Sequence, residues 1–289
     1  MEFIFFLMNN IIVCSLASGS NGNAYYIEAD NMAILVDVGI SFRRLKNRAM
    51  TRQIDLKKIK AVLVTHEHSD HVYGLATLCR QLGIRAYMTR GSFDNMRPKY
   101  RPDASVVSIF QSDASFQLGP FTIHSFAKPH DVAEPCSFRV EANGISVGVF
   151  TDIGAVCNSL VQNLSLCHLA FLESNYDEDM LWHGTYSDYL KHRITSGRGH
   201  LSNAQSALMV EGLGTTPLHT IFLSHLSQDN NRPDVALAAF AHLAQRFQIK
   251  LMSRFEASDV WSVSATQATI VPPKIIIPER LDRVPLPIN

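Results

Sequence analysis

Residues 61–71 read AVLVTHEHSDH, from Ala61 to His71. Ala61 to Val64 are small or branched apolar residues, and the run predicts a short buried strand. After Thr65 come His66, Glu67, His68, Ser69, Asp70 and His71, which have no place in a core unless something offsets their desolvation. A metal would do so, because neutral imidazoles and a carboxylate are donors that zinc, manganese or iron accept. Four such groups exceed what one ion with a water needs. The spacing therefore points to two ions, His66 and His68 reaching one, Asp70 and His71 the other.

The rest of the chain bounds this reading. Its 289 residues are 46% hydrophobic and 18% charged, which suits a soluble protein with a substantial core. The formal net charge is zero, so no global field draws it to nucleic acid. Eight basic residues nevertheless fall between Arg43 and Lys60 against the single acid Asp55, either as a solvated helix face or as a phosphate-binding one. Cys14, Cys79, Cys136, Cys157 and Cys167 form no CxxC pair, and the scattered set predicts reduced thiols and a cytoplasmic protein. The apolar start MEFIFFLMNN is leader-like, but it lacks a positive head and carries Glu2. No segment is long enough for a membrane-spanning helix, so no membrane role is expected.

Strands are expected at Ile11–Leu16, Ala24–Glu28, Met32–Asp37, Ser105–Phe110, Ala114–Leu118, Phe121–Phe126, Ser137–Glu141 and Ile145–Thr151, with Asn143-Gly144 as a hairpin turn. Further on, Leu169–Leu172, His219–Leu223 and Lys250–Ser253 read as strands. Helices are expected from Ser41 to Met50, Val72 to Leu82, Ser187 to Thr195, Asn203 to Glu211 and Asp234 to Phe247. Strands with interleaved helices in both halves predict an α/β fold, two packed sheets covered outside by helices. A single domain over residues 1–265 is expected. Residues 266–289, with five prolines after Ile270, would form an extended tail.

The HxHxDH run after a strand resembles the signature of the metallo-β-lactamase superfamily. The later motifs stand in that family's order: His130 in FAKPHD, Asp152 in GVFTDIG and His225 in IFLSHLS. SLASGSNGNAYYI, VTHEHSDHVYGL, LESNYDEDML, GRGHLSN and LSHLSQDNN narrow the likeness to the YycJ/WalJ branch, exonuclease-like hydrolases related to tRNase Z. The likeness covers about residues 11 to 260 and leaves out the first seven or so and the tail.

The resemblance implies a four-layer αβ/βα sandwich with two mixed sheets and a dinuclear centre. Site one would take His66, His68 and His130, and site two Asp70, His71 and His225, with Asp152 between them. Zn2+ is the expected ion, with Mn2+ or Fe2+ as alternatives. Two such cations can share a hydroxide and stabilise charge developing on a phosphate. Glu67 should point away. His124 and His168 read as structural, and His183 stays open between the site mouth and the surface.

By the same resemblance His200 in GRGHLSN would be the proton donor and Glu173 in AFLESNYD would orient it, joining Asp70 as catalytic residues. A histidine paired with a carboxylate stays protonated nearer neutral pH, which suits a general acid. The loop Ser20-Asn21-Gly22-Asn23 would offer N–H groups to an anion or be merely a turn, and Arg43 and Arg44 would meet substrate. The expected activity is phosphodiester cleavage in nucleic acid, DNA before RNA. An ester, thioester, lactone or β-lactam hydrolase would use the same centre.

Overall fold

The structure, a computed structural model, describes residues 10–272. The leader-like start and the tail from 273 onward lie outside the described residues. Strands β1 (Ile11–Ala17), β2 (Ala24–Ala29) and β3 (Met32–Val36) form an antiparallel meander. Parallel strands β4 (Ile59–Leu63), β5 (Arg85–Thr89) and β6 (Val107–Phe110) extend it. The second sheet begins with antiparallel β7 (Ser115–Leu118), β8 (Phe121–Ala127), β9 (Cys136–Ala142) and β10 (Ile145–Phe150). It continues in parallel with β11 (Leu169–Glu173), β12 (Thr220–Ser224) and β13 (Gln248–Leu251). The chain then returns to the first sheet, where β14 (Trp261–Val263) pairs with β1 and β15 (Ala268–Ile270) with β14. Among the described residues the sheets hold eight and seven strands, and each is mixed.

Period-two alternation decides what each face of a strand touches. Ile11, Val13, Tyr25 and Ile27 point inward against Phe121, Phe138, Phe171 and Phe222 of the other sheet. Their neighbours Cys14, Leu16, Ala24 and Tyr26 point outward. There they meet α1 (Phe42–Thr51), α2 (Ser69–Val72) and α3 (Leu75–Leu82) through Leu45, Val72 and Leu78, while α4 (Arg90–Asn95) packs beside β5. The outer face of the second sheet is covered by α5 (Asn158–Ser165), α8 (Asn203–Glu211) and α9 (Pro233–Ala239) through Leu160, Val210 and Ala236. Between α5 and α8 lie α6 (Glu178–His183) and α7 (Asp188–Thr195). The four-layer αβ/βα sandwich is as expected, and parallel β11 and β12, buried along their whole length, are the apolar runs such strands require.

Several boundaries differ. The helix expected over 72–82 is two, broken at Tyr73-Gly74 because Gly74 N donates to Val38 O. The one expected over 234–247 stops at Ala239 and gives way to a 3₁₀ turn, which carries Phe240, Leu243 and Phe247 into the outer core. Strand β6 starts only at Val107, after a 3₁₀ turn over Ala104–Val106. The first sheet runs past residue 265, since β15 starts at Ala268. Strand β3 ends at Val36, one residue early, and that ending shapes the site.

Candidate metal centre

The strands β3, β4, β8, β10, β11 and β12 release their chains at one edge of the sandwich, where Asp37, His66, His130, Asp152, Glu173 and His225 converge. The carboxyl ends of parallel strands are where an α/β sheet usually binds ligand. Asp37, Asp152 and His225 adopt left-handed backbone, with φ of 61°, 55° and 57°. That conformation costs a non-glycine residue about 1 kcal/mol or more, and it turns each side chain inward as its strand ends.

Three imidazoles form one group. His66 Nε2 lies 3.2 Å from His68 Nδ1, which lies 3.4 Å from His130 Nε2, and the other His130 nitrogen, Nδ1, is 3.1 Å from Gly199 O. Burial pushes His66 well below the ordinary histidine range, pushes His68 down, and takes His130 to about 3. Burial thus favours the neutral form of all three, in which one ring nitrogen carries a free lone pair.

The second group is more acidic. The short helix α2 sets Asp70 beside His71, whose Nε2 is 3.5 Å from Asp70 Oδ2 and 3.0 Å from Asp152 Oδ2. His225 Nε2 is 3.7 Å from Asp70 Oδ2. Burial would lower His71, but Asp152, Asp37 and Asp70 outweigh it and hold the ring well above its ordinary value. Burial opposes protonation of His225 too, yet Asp152, Asp70 and Glu173 raise it to about 10. The carboxylates thus impose a demand for positive charge inside a desolvated site.

Within that group His225 Nε2 is buried and makes no hydrogen bond, and buried Asp152 Oδ2 has only the His71 ring, 3.0 Å away, beside it. Orphaned buried donors and acceptors are rare and call for a partner. Together with the neutral imidazoles, they make the cluster compatible with divalent metal ions. His66, His68 and His130 gather as one donor set, and Asp70, His71, Asp152 and His225 as another. Asp152 Oδ1 also lies 3.9 Å from His130 Nε2, which puts this carboxylate between the two sets.

Glu173 could be mistaken for a further ligand. Its Oε2 accepts from Ile153 N at 2.7 Å and Leu201 N at 3.2 Å, while Oε1 faces His200 Nδ1 at 2.8 Å and His225 Nδ1 at 3.1 Å. With both oxygens engaged twice, Glu173 orients two histidines and holds no lone pair in reserve. Burial opposes its ionisation, but His200 and His225 outweigh that and bring the carboxyl down to about 2. His200 comes from the loop between α7 and α8. That loop lies so close to the FTDIG turn that a Cβ on Gly154 would sit 2.3 Å from Arg198 Cα. With Nδ1 on Glu173, the other ring nitrogen of His200 is left for a cleft of about 160 Å³ lined by Ser20, Asn175, Tyr186, Arg193 and Ser227.

Other expected residues fare differently. Glu67 does point away, and accepts from Ala133 N in the loop after His130. His124 and His168 bond to Ser115 and to the Ser146 N–H, as structural residues would. His183 is exposed and bonds Asp179 O. In the 20–23 loop two of the N–H groups expected to face an anion are spent inside the fold, as the turn alternative requires. Gly22 N donates to Gly19 O, and Asn23 N to Asp70 O. The Asn23 side chain, fully buried, bonds Gly19 and meets His71 Nε2 at 3.1 Å. Asn23 braces α2 from behind, Gly22 packs against Gly39 and Ile40, Ser20 reaches the cleft and Asn21 is exposed. Arg43 and Arg44 stand exposed on α1, and the structure joins neither to the cluster. Of the same basic run, Arg48, Arg52 and Lys58 are engaged with Leu16 O, Ala257 O and Glu28.

Sequence reading missed the residues that hold the ligands. Asp37 accepts from Thr65 N and Thr65 Oγ1, both at 2.8 Å, and meets His71 Nδ1 at 2.7 Å. The signal was present, since Asp37 follows an apolar strand as His66 and Asp152 do. Ser18 Oγ accepts from His225 N at 2.8 Å, Asn175 donates to His225 O at 2.8 Å, and buried Lys128 donates to Thr151 O at 2.6 Å. Nothing in their local sequence marks them out.

Residues 33–226 match the family described as Beta-lactamase superfamily domain. The chain is 31% identical over 258 residues to Exodeoxyribonuclease WalJ of Streptococcus pneumoniae, covering 88% of this chain and 96% of that one. It is 29% identical over 252 residues to Exodeoxyribonuclease YycJ of Bacillus anthracis, covering 84% and 93%. The crystal structure of human tRNase Z, short form, superposes with a TM-score of 0.58 at 16% identity, over 86% of this chain and 98% of that one, a likeness of fold. With these matches and the strand-end histidines and aspartates in place, the chain belongs to the metallo-β-lactamase superfamily and is a metal-dependent hydrolase.

Proposed function

We infer that the protein is a dinuclear metal-dependent phosphodiesterase that removes nucleotides from nucleic acid, DNA before RNA. The observation that carries this reading is the Glu173–His200 pair at the edge of the cluster, because a phosphodiester's leaving alkoxide needs a proton. The WalJ and YycJ relatives, named exodeoxyribonucleases, support the choice of DNA. Five unpaired cysteines support a cytoplasmic setting.

His66, His68 and His130 would hold one divalent cation, and Asp70, His71 and His225 the other, with Asp152 serving both. Zn2+ fits the imidazole-rich set best, and Mn2+ or Fe2+ share its donors. Such a pair supplies Lewis acidity towards phosphate oxygens and a nucleophile at neutral pH. The protein's own groups do the rest. Asp70, its side chain 22% exposed, would accept a hydrogen bond from the attacking water and orient it. Glu173 accepts from His200 Nδ1–H, so that in the imidazolium form the second proton, on Nε2, would face the cleft and pass to the leaving oxygen, leaving His200 neutral. Arg193, held by Asp131 at 2.5 Å, would steady the phosphate in the cleft.

Two measurements test this. Elemental analysis after metal reconstitution should find close to two equivalents per chain, and one or fewer would end the dinuclear reading. The loaded enzyme should hydrolyse bis(p-nitrophenyl) phosphate and shorten end-labelled DNA. Turnover of esters or lactams alone would transfer the site to carbon chemistry.

A further inference from the structure

Arg48 belongs to the basic helix α1, yet it is buried and spends its charge on the backbone. Its guanidinium donates to Leu16 O at 2.7 Å, Arg254 O at 3.1 Å and Phe255 O. Ser253 Oγ accepts from Phe255 N at 3.1 Å and Glu256 N at 3.3 Å. The 253–256 segment is thereby clamped from both sides, while the Phe255 ring stands 71% exposed. A rigid backbone carrying an exposed aromatic ring is how a stacking surface is held ready without ordering cost at binding.

The ring is not isolated. It walls an apolar cleft of about 270 Å³ with Leu226, Pro233, Leu251 and Met252. Ser18, whose hydroxyl accepts from His225 N, lines the same cleft. Ser227 lines both this cleft and the polar one that holds His200 and Arg193, so the two meet beside the metal cluster. Half-buried Arg254 lines the apolar cleft. Its guanidinium packs 3.1 Å from where a Gly19 Cβ would be, bonds Gln228 at 2.6 Å, and leaves Nε without a partner. A polar cleft that carries His200 and the Arg193–Asp131 pair, sharing Ser227 with an apolar one that has an aromatic wall, matches a nucleotide, which joins a phosphate to a flat ring.

We propose that the cleft between Leu226 and Phe255 is a subsite for an unpaired base at the end of a nucleic-acid strand, stacked on Phe255, with its phosphodiester in the polar cleft at His200. The proposal rests on the phosphodiesterase reading and sharpens it. A base inside a duplex already has both faces stacked, so this subsite takes a base at a strand end and not one within a duplex.

The test compares the metal-loaded enzyme's affinity for two short phosphorothioate single strands, one with every base and one abasic at its terminal nucleotides, by fluorescence anisotropy. Losing one stacked base costs about 5- to 150-fold in affinity, so wild type should prefer the complete strand by at least about fivefold. Phe255→Trp should keep that preference. Phe255→Ala and the bulk-preserving Phe255→Leu should bring it below about twofold, with thermal unfolding reporting that each variant is folded. Equal affinity for the two strands in wild type would overturn the subsite and return the cleft to a protein-docking face. A preference that survives in folded Phe255→Leu would also overturn it. Hydrolysis of methyl p-nitrophenyl phosphate by wild type, which involves no base, judges the phosphodiesterase reading separately.

Discussion

Asp37 Oδ2 stands 2.7 Å from His71 Nδ1, and both side chains are fully buried. This contact fixes the His71 ring with Nε2 towards Asp70 and Asp152, and the same carboxylate accepts from Thr65 beside His66. Outer carboxylates of this kind typically contribute 10- to 100-fold to metal affinity. Asp37→Asn should therefore weaken retention of one equivalent by that factor while the other stays bound. Competition against a graded series of chelators reads the two equivalents separately, and equal retention of both would assign Asp37 to folding alone.

His200 and His225 share Glu173 Oε1 but should fail differently. His225→Ala removes a donor from the acidic set and should lose one metal equivalent. His200→Ala should keep both and lose about 10²–10⁴-fold in rate, the range for a general acid. The deficit should shrink for p-nitrophenolate, a leaving group that needs no proton. If His200→Ala releases metal while His225→Ala does not, the two roles are reversed.

The Glu173 carboxyl, brought from 4.5 to about 2, stabilises the fold above its unfolded value, and that contribution fades as pH falls from 4.5 towards 2. In chelator-treated protein Glu173→Gln should be less stable than wild type at pH 7, and the gap should close on acidification. Urea midpoints at pH 7, 4 and 3 measure this. A gap independent of pH would mean that steric fit, not charge, explains the loss.

The basic 43–60 run should divide into two behaviours. Replacing the exposed Arg43, Arg44 and Lys46 by alanine should flatten the salt dependence of DNA affinity by about 0.7–0.9 for each phosphate they neutralise, with little change in stability. Arg48→Ala should instead cost about 2–4 kcal/mol, because three carbonyls lose a charged donor in a buried place. A salt slope unchanged in the triple variant would leave those residues as a solvated face.

Four thiols should be inert in the native protein. Burial pushes Cys14 up to about 12 and Cys79 to about 11, and it raises Cys136 and Cys167 as well. Only Cys157 is partly exposed. Titration with Ellman's reagent should find one fast thiol in the folded protein and five after denaturation. Two or more fast thiols would contradict the packing around β1, α3 or β9.

The sequence by itself settled what local pattern can settle. Alternation along Ile11–Leu16 and Ile145–Thr151, the Asn143-Gly144 turn and the unbroken apolar run before Glu173 were enough for strands, because side-chain period and turn chemistry are local properties. The HxHxDH donors were legible for the same reason: one strand end and one helical turn bring them together. Tertiary structure decided the rest. Three-residue β14 exists only because Val13 lies opposite Trp261, and no window of sequence contains both. Asp37 became a brace when its backbone turned left-handed at the end of β3 and met Thr65, 28 positions away. Asn23 turned inward under His71, and Arg48 left the basic face to hold Phe255. A polar side chain acquires its role from the partners that satisfy it after burial, and those partners are set by the packing of two sheets, not by neighbours in the chain.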